Sequence, residues 1–326
     1  MSRRPSGINS CQNSGLKIEN FRTAKGEFVK TIILLTEQDR TARPAIWERP
    51  RPLWNVAGKT IIGHLLDLLR DELTDDVIFV VDPTDSAVET WIQENYPQLA
   101  AHFLAGPAGG GQAQALALCR DFLDEAAVLV VADLTITEAA FDKLETMGAD
   151  VVRLTPPDTA VSPSSTAAVM WFRHGRLLHH ALQTTDSAAT LPAIYEKIPN
   201  GAALPAHLWL ETHTPDALLH ANQRLLGLGY GATPDAIERS YAEDFTVLPP
   251  VFLDDEAYVE AAVVGPYVSV YAGAVVKSAI VRHSIVAADA HVENCILDAA
   301  LVGERAKITG SASKLLVGDD YTTDST

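Results

Sequence analysis

The sequence predicts an α/β chain: a Rossmann-like, mostly parallel sheet with helices on both faces, followed by a short parallel β-helix. Two patterns and the break between them carry this prediction. From Val29 to about Leu226, short apolar runs alternate with amphipathic stretches of helical spacing, the mark of a parallel sheet covered by helices. From Val251, single aliphatics recur every five or six residues, with small residues between them. The stretch Gly227–Pro250 separates the two patterns. It contains GLGYGATPD and ends in Leu248-Pro249-Pro250, a composition that favours a linker.

Taken in order, residues 1–27 are polar and are expected to form a disordered tail. Ile32–Leu35 reads as a buried strand, Thr60–Arg70 (TIIGHLLDLLR) as a helix, and Val77–Val81 (VIFVV) as a second strand. Ser86–Tyr96 and Gln112–Leu123 read as helices, and Ala127–Ala132 (AVLVVA) as a third strand. Ligands of such sheets sit beyond the carboxyl ends of the strands, where Thr36–Arg43 and Asp133 fall. The α/β unit is expected over 28–228, the linker over 229–250, the β-helix over 251–318 and a frayed end over 319–326. In the β-helix, Val264, Val270, Val276, Val281, Val286, Val292, Leu297, Val302 and Ile308 are expected to point inward. At three faces per turn they predict roughly three coils.

Composition narrows the function. The chain has 326 residues, 47% of them hydrophobic, enough for two packed domains. A net charge of −17 argues against nucleic acid as a main partner and leaves a bound nucleotide open. Cys11, Cys119 and Cys295 lie far apart, with no metal-type spacing, which suits a reducing, cytoplasmic setting. No apolar run has the length of a membrane span, and residues 1–27 lack the apolar core of a signal peptide.

Thr31–Ile62 reads TIILLTEQDRTARPAIWERPRPLWNVAGKTII. It resembles, without a gap, the opening of the sugar-1-phosphate nucleotidylyltransferases, an apolar strand followed by GGxGTRxxP and PKPLxPVxGKPxI. Pro44, Pro50, Pro52, Leu53, Val56, Gly58, Lys59 and Ile61 fall in place. The loop does not: Thr36, Glu37 and Asp39 stand where the family has glycines, and Thr41 where it has arginine. Gly109–Leu116 (GGGQAQAL) resembles the family's LGTAxAL segment, Asp133 aligns with the aspartate of its GD motif, and Trp209–Asn222 resembles YWxDIGTPEDLLEAN. Some members of that family carry a left-handed β-helix of hexapeptide repeats behind the catalytic domain, usually for oligomerisation or allosteric contact.

The resemblance implies a reaction between a nucleoside triphosphate and a sugar 1-phosphate that releases pyrophosphate. It places Leu35, Gly111, Gln112 and Ala113 at the nucleotide, Asp133 and Glu211 on a Mg²⁺ ion, and Arg51 on a phosphate. Arg40, one position from the family's arginine, is a second candidate for phosphate. The same residues have plainer readings: Arg51 as a solvent-facing arginine between prolines, Gly111–Leu116 as small residues that let a helix pack, Asp133 as a solvated acid at a strand end. Glycines let backbone N–H groups point at phosphates, whereas Glu37 and Asp39 add negative charge beside them. The family's VEKP strand has no counterpart between Asp133 and Trp209. Two functions fit: an enzyme making a nucleotide-activated sugar with Mg²⁺, and a non-catalytic homologue that senses or assembles, as a homo-oligomer or with an active paralogue. A remoter one is a β-helix acyltransferase, using His283 or His291 as base.

Overall fold

The computed structural model describes residues 29–35, 49–69, 76–84, 86–107, 110–157, 168–238 and 244–310, and the backbone of 316–317 and 322–324. The expected tail, the loop 36–48 with Arg40, and residues 158–167 lie outside the described residues.

β1 (Val29–Leu34) leads to a single 3₁₀ turn over Arg51–Leu53, a small ribbon of β2 (Asn55–Val56) and β3 (Lys59–Thr60), and α1 (Ile61–Leu68). Then come β4 (Val77–Val81), α2 (Ser86–Asn95), β5 (Ala101–Ala105), α3 (Gln112–Leu118), β6 (Ala127–Ala132) and β7 (Ile136–Glu138). β8 (Val151–Thr155), β9 (Ala168–Phe172), α4 (Gly175–Gln183), α5 (Leu191–Tyr195), β10 (Gly201–Pro205), β11 (Leu208–Leu210) and α6 (Pro215–Gly227) follow.

The main sheet has the order β10-β8-β9-β6-β1-β4-β5, and every neighbouring pair is parallel except those of β9, antiparallel to both β6 and β8. Alternate residues of each strand enter different cores. Ile33 and Phe79 pack with Ile61, Leu65 and Leu66 of α1 and Leu218 and Leu225 of α6. Ile32 and Ile78 pack with Ala115, Leu178 and Ile194 of α3, α4 and α5. Both faces are therefore apolar, and β4 and β6 read as unbroken apolar runs. The Thr60 hydroxyl caps α1 by accepting from the Gly63 amide. Each fully buried aliphatic in these layers contributes about 1.5–3 kcal/mol.

β5, β7, β10 and β11 escaped the sequence reading. β5 and β10 are half-exposed edge strands and β7 and β11 are only three residues long, so none shows a clear period. Together β7 and β11 form a separate antiparallel pair with Leu210 opposite Ile136.

Three parallel sheets of four, five and five strands form the faces of the left-handed β-helix. The aliphatics named from the sequence are all inside it, none more than 2% exposed. Two expectations are corrected. The coil starts at Phe245–Val247, inside the presumed linker, because that strand pairs with Ala262–Val264 and turns Phe245 and Val247 inward. Leu316–Val317 continues the ladder of Leu301–Val302 within the expected β-helix, and the coil also runs on through Thr322–Asp324, which continues the ladder of Lys307–Thr309 where a frayed end was expected. The coil is accordingly longer than three turns. Pro249-Pro250 breaks the spacing at the start, so the first rung is out of phase with the repeats.

Left-handed corners recur along the coil. Ala261, Ser278 and Asn294 form one column, Tyr267, His283 and Ala299 a second, and Asp289 and Arg305 a third, all at positive φ between 47° and 60°. The amide of each corner donates to the rung below, as Ser278 does to Glu260 O at 3.0 Å and Asn294 to Lys277 O at 3.1 Å.

Buried side chains join the coil to the sheet domain, and Asn222 makes the most hydrogen bonds among them. Asn222 Oδ1 accepts from the Ala57 amide at 2.9 Å and from Ser269 Oγ at 2.7 Å, while its Nδ2 donates to Tyr267 O at 3.2 Å. The Gly58 amide donates to the Tyr271 hydroxyl at 3.1 Å. At Gly231 (φ +67°) a Cβ would stand 1.9 Å from Ala57 O, so only glycine admits this approach. These contacts fix the segment that carries Arg51.

Candidate active site

Three pieces of chain meet where the family resemblance places the phosphates and metal. The first is the turn Arg51–Leu53, set between Pro50 and Pro52, with the Trp54 amide donating to Arg51 O at 3.1 Å and Trp54 Nε1 to Arg49 O at 2.9 Å. Prolines fix φ near the value the turn needs, and Leu53 and Trp54 share a buried core with Ile61 and Leu65 of α1. The second is the tight turn that leaves β6, where Asp133 and Leu134 are both left-handed (φ 58° and 49°) and Thr135 Oγ1 donates to Ala132 O at 3.2 Å. The third is Glu211–Thr212 after β11, drawn beside that turn by the β7–β11 pairing and by Thr212 Oγ1, 3.5 Å from Leu134 O.

Arg51 is buried and points inward, which removes the solvent-facing reading. Its Nη2 donates to Asp133 Oδ1 at 2.6 Å, with side chains 10% and 14% exposed. Its Nε is buried without a hydrogen-bond partner. Glu211 Oε1 accepts from Trp209 Nε1 at 3.3 Å. Its Oε2 lies 3.3 Å from His213 Nδ1, close enough for attraction to a protonated ring and not aligned as a hydrogen bond. The structure thus brings Arg51 and Asp133 into direct contact, and Thr212, the residue after Glu211, reaches the turn that carries Asp133.

The resemblance implies Mg²⁺ here, and the groups present do not fit it. Asp133 Oδ1 is taken by a guanidinium and Glu211 Oε1 by an indole N–H, while Glu211 Oε2 faces an imidazole. Mg²⁺ demands hard oxygen ligands in a near-ideal octahedron. Among the described residues no group of three His, Cys, Asp or Glu side chains is arranged to hold a metal.

The residues assigned to the nucleotide form a second cluster. Leu35 follows β1, and its amide donates to Val80 O at 2.8 Å. Gln112 is buried at the start of α3, and its Oε1 accepts from the Leu191 amide at 2.6 Å. The Ala113 amide donates to Ala189 O at 3.0 Å. A Cβ on Gly111 would stand 2.8 Å from Ala188 Cα and Ser187 O. The backbone of 187–191 therefore lies directly on the start of α3. It takes up the carboxamide oxygen and an amide that the resemblance assigns to a base or phosphate. Sequence reading missed this strap, because Ser187–Leu191 has no motif and meets Gln112 only in three dimensions.

Of the cysteines, Cys119 and Cys295 are buried and unpaired; burial pushes their thiols up to about 12 and about 11, so both are inert at neutral pH. No helix among the described residues is long and apolar enough to cross a membrane.

No family model matches the chain. It is 29% identical over 126 residues to the CMP-5'-(3-aminopropyl)phosphonate synthase of Streptomyces rubellomurinus, covering 38% of this chain and 20% of that protein. It is 26% identical over 103 residues to the bifunctional protein GlmU of Methanocaldococcus jannaschii, covering 32% and 24%. The chain thus spans less than a quarter of either curated relative. Among solved structures, it superposes on a Bacillus anthracis protein described as a glucose-1-phosphate thymidylyltransferase, crystallised with sucrose. That match has a TM-score of 0.50 and 16% identity, and covers 60% of this chain and 94% of the other. Over the matched part the chain has the nucleotidyltransferase fold of that structure, and a parallel β-helix follows it.

Proposed function

We propose that the chain is a sugar-phosphate nucleotidylyltransferase homologue in which nucleotidyl transfer is weak or lost, and that it serves as a regulatory or assembly subunit. One observation carries this reading. The strap 187–191 uses Gln112 Oε1 and the Ala113 amide, two groups a nucleotide would need to reach at the start of α3. The acidic Glu37 and Asp39 of the signature loop act in the same direction, since they add charge that repels a triphosphate. The setting proposed is cytoplasmic, in a homo-oligomer or with an active paralogue, with neither nucleic acid nor membrane as partner.

The test is calorimetric titration with each nucleoside triphosphate, with and without Mg²⁺, beside a pyrophosphate-release assay with sugar 1-phosphates. The wild-type chain is expected to give no micromolar binding and no release. Micromolar binding accompanied by pyrophosphate release overturns the proposal. It would establish the second reading, an active enzyme in which a sugar-phosphate oxygen attacks the α-phosphorus and Arg51 neutralises the phosphates. The placement of Arg51 and Asp133 together at the strand ends favours that alternative.

A further inference from the structure

The Arg51–Asp133 pair is more than a retained motif. A divalent cation at Asp133 would bring two positive charges within a few ångströms of the guanidinium that already neutralises this carboxylate. Arg51 has little room to withdraw. Pro50 and Pro52 hold its backbone, buried Leu53 and Trp54 follow it, and its buried Nε shows that the side chain is enclosed along its length. Asp133 is held equally firmly, because consecutive left-handed residues and the Thr135 hydroxyl set the direction of its turn. The neighbouring acid, Glu211, is engaged by Trp209 and faces His213. We infer that the Arg51 guanidinium stands in for a divalent cation at Asp133 and keeps metal off this carboxylate. The inference rests on the ion pair and the enclosure of its two members, and holds whether or not the site turns over nucleotide.

Mn²⁺ binding to the full chain, read from the loss of the free-ion paramagnetic resonance signal, tests it. Wild type and Asp133→Asn are expected to bind Mn²⁺ alike, through surface carboxylates only. Arg51→Gln is expected to gain a site about tenfold or more tighter than any in the wild type. Adding Asp133→Asn to that variant removes the site. Arg51→Lys keeps the positive charge and is expected to bind no more Mn²⁺ than wild type. A wild-type site that vanishes in Asp133→Asn overturns the inference, as does an Arg51→Gln protein that folds by circular dichroism and gains nothing. If Arg51→Gln does not fold, the comparison of wild type with Asp133→Asn still decides. Nucleotide titration and Mn²⁺ binding are separate readouts, so failure of one proposal is distinguishable from failure of the other.

Discussion

The coil and the strand-end cluster hold their buried groups in different ways. Inside the coil, Val264, Val281 and Leu297 stack at successive rungs, as do Val270, Val286 and Val302, and each side chain meets a neighbour of its own kind 16 or 17 residues along the chain. At the end of β6, Arg51 meets Asp133 across 82 residues, and Gln112 meets Leu191 across 79. A repeated environment is stabilised by area, which any aliphatic supplies. A single ion pair is stabilised by one partner of the right charge. The first tolerates exchange among similar residues, and the second does not.

Urea unfolding separates the two regions when one buried group is cut in each. Arg51→Ala leaves the part-buried Asp133 carboxylate without its cation and is expected to cost about 3 kcal/mol, the low end for a buried pair. Leu297→Ala leaves a cavity in the coil and is expected to cost about 2–5 kcal/mol. Their rescue separates them. Arg51→Met with Asp133→Leu is expected to recover most of the loss from Arg51→Ala, since apolar packing can replace an ion pair, and to stay below the wild type because leucine at φ 58° is strained. No second substitution restores Leu297 except one that refills its volume. If Arg51→Ala is silent, the pair is not the enclosed contact described above.

The same contrast explains what could be read from the chain. The nine coil aliphatics were identified correctly because their period is local, and β4 and β6 match the predicted residues because both faces of those strands are apolar. The antiparallel direction of β9 could not be read, since direction in a sheet depends on a partner far along the chain. At the site, Arg51, Asp133 and Glu211 stood out by alignment with a family pattern, and that pattern implied metal between the two acids. What the structure adds is the choice of partner: guanidinium for Asp133, indole and imidazole for Glu211, backbone for Gln112. Arg40 lies outside the described residues.

A smaller effect is expected at the joint between the two regions, where Asn222→Ala would strip partners from the Ala57 amide, Ser269 and Tyr267 O. Leaving such buried groups unpaired costs about 1–3 kcal/mol. The loss should appear as a lower urea midpoint and as faster proteolysis between α6 and the first coil rung. An unchanged midpoint with unchanged proteolysis would show that the apolar contacts of Tyr271, Ile285 and Leu301 with the sheet domain hold the two regions together without the asparagine.

The smallest effect has opposite signs in the two regions. Ala261 and Ser278 are exposed corners at φ 49° and 47°, where an L-residue is strained and glycine is not. Replacing either with glycine relieves that strain at the cost of extra freedom in the unfolded chain, a net gain expected at about 0.5–1 kcal/mol. Ala117 is exposed in α3, where the backbone is helical, and Ala117→Gly is expected to lose about 0.5–1 kcal/mol for the same entropic reason. Thermal midpoints of the three single variants measure this directly. If Ala261→Gly and Ser278→Gly both destabilise, the corner amides that donate to the rung below, at Ser278 to Glu260 O, hold the turn more firmly than backbone strain opposes it. The coil would then depend on its corner hydrogen bonds as much as on its aliphatic interior.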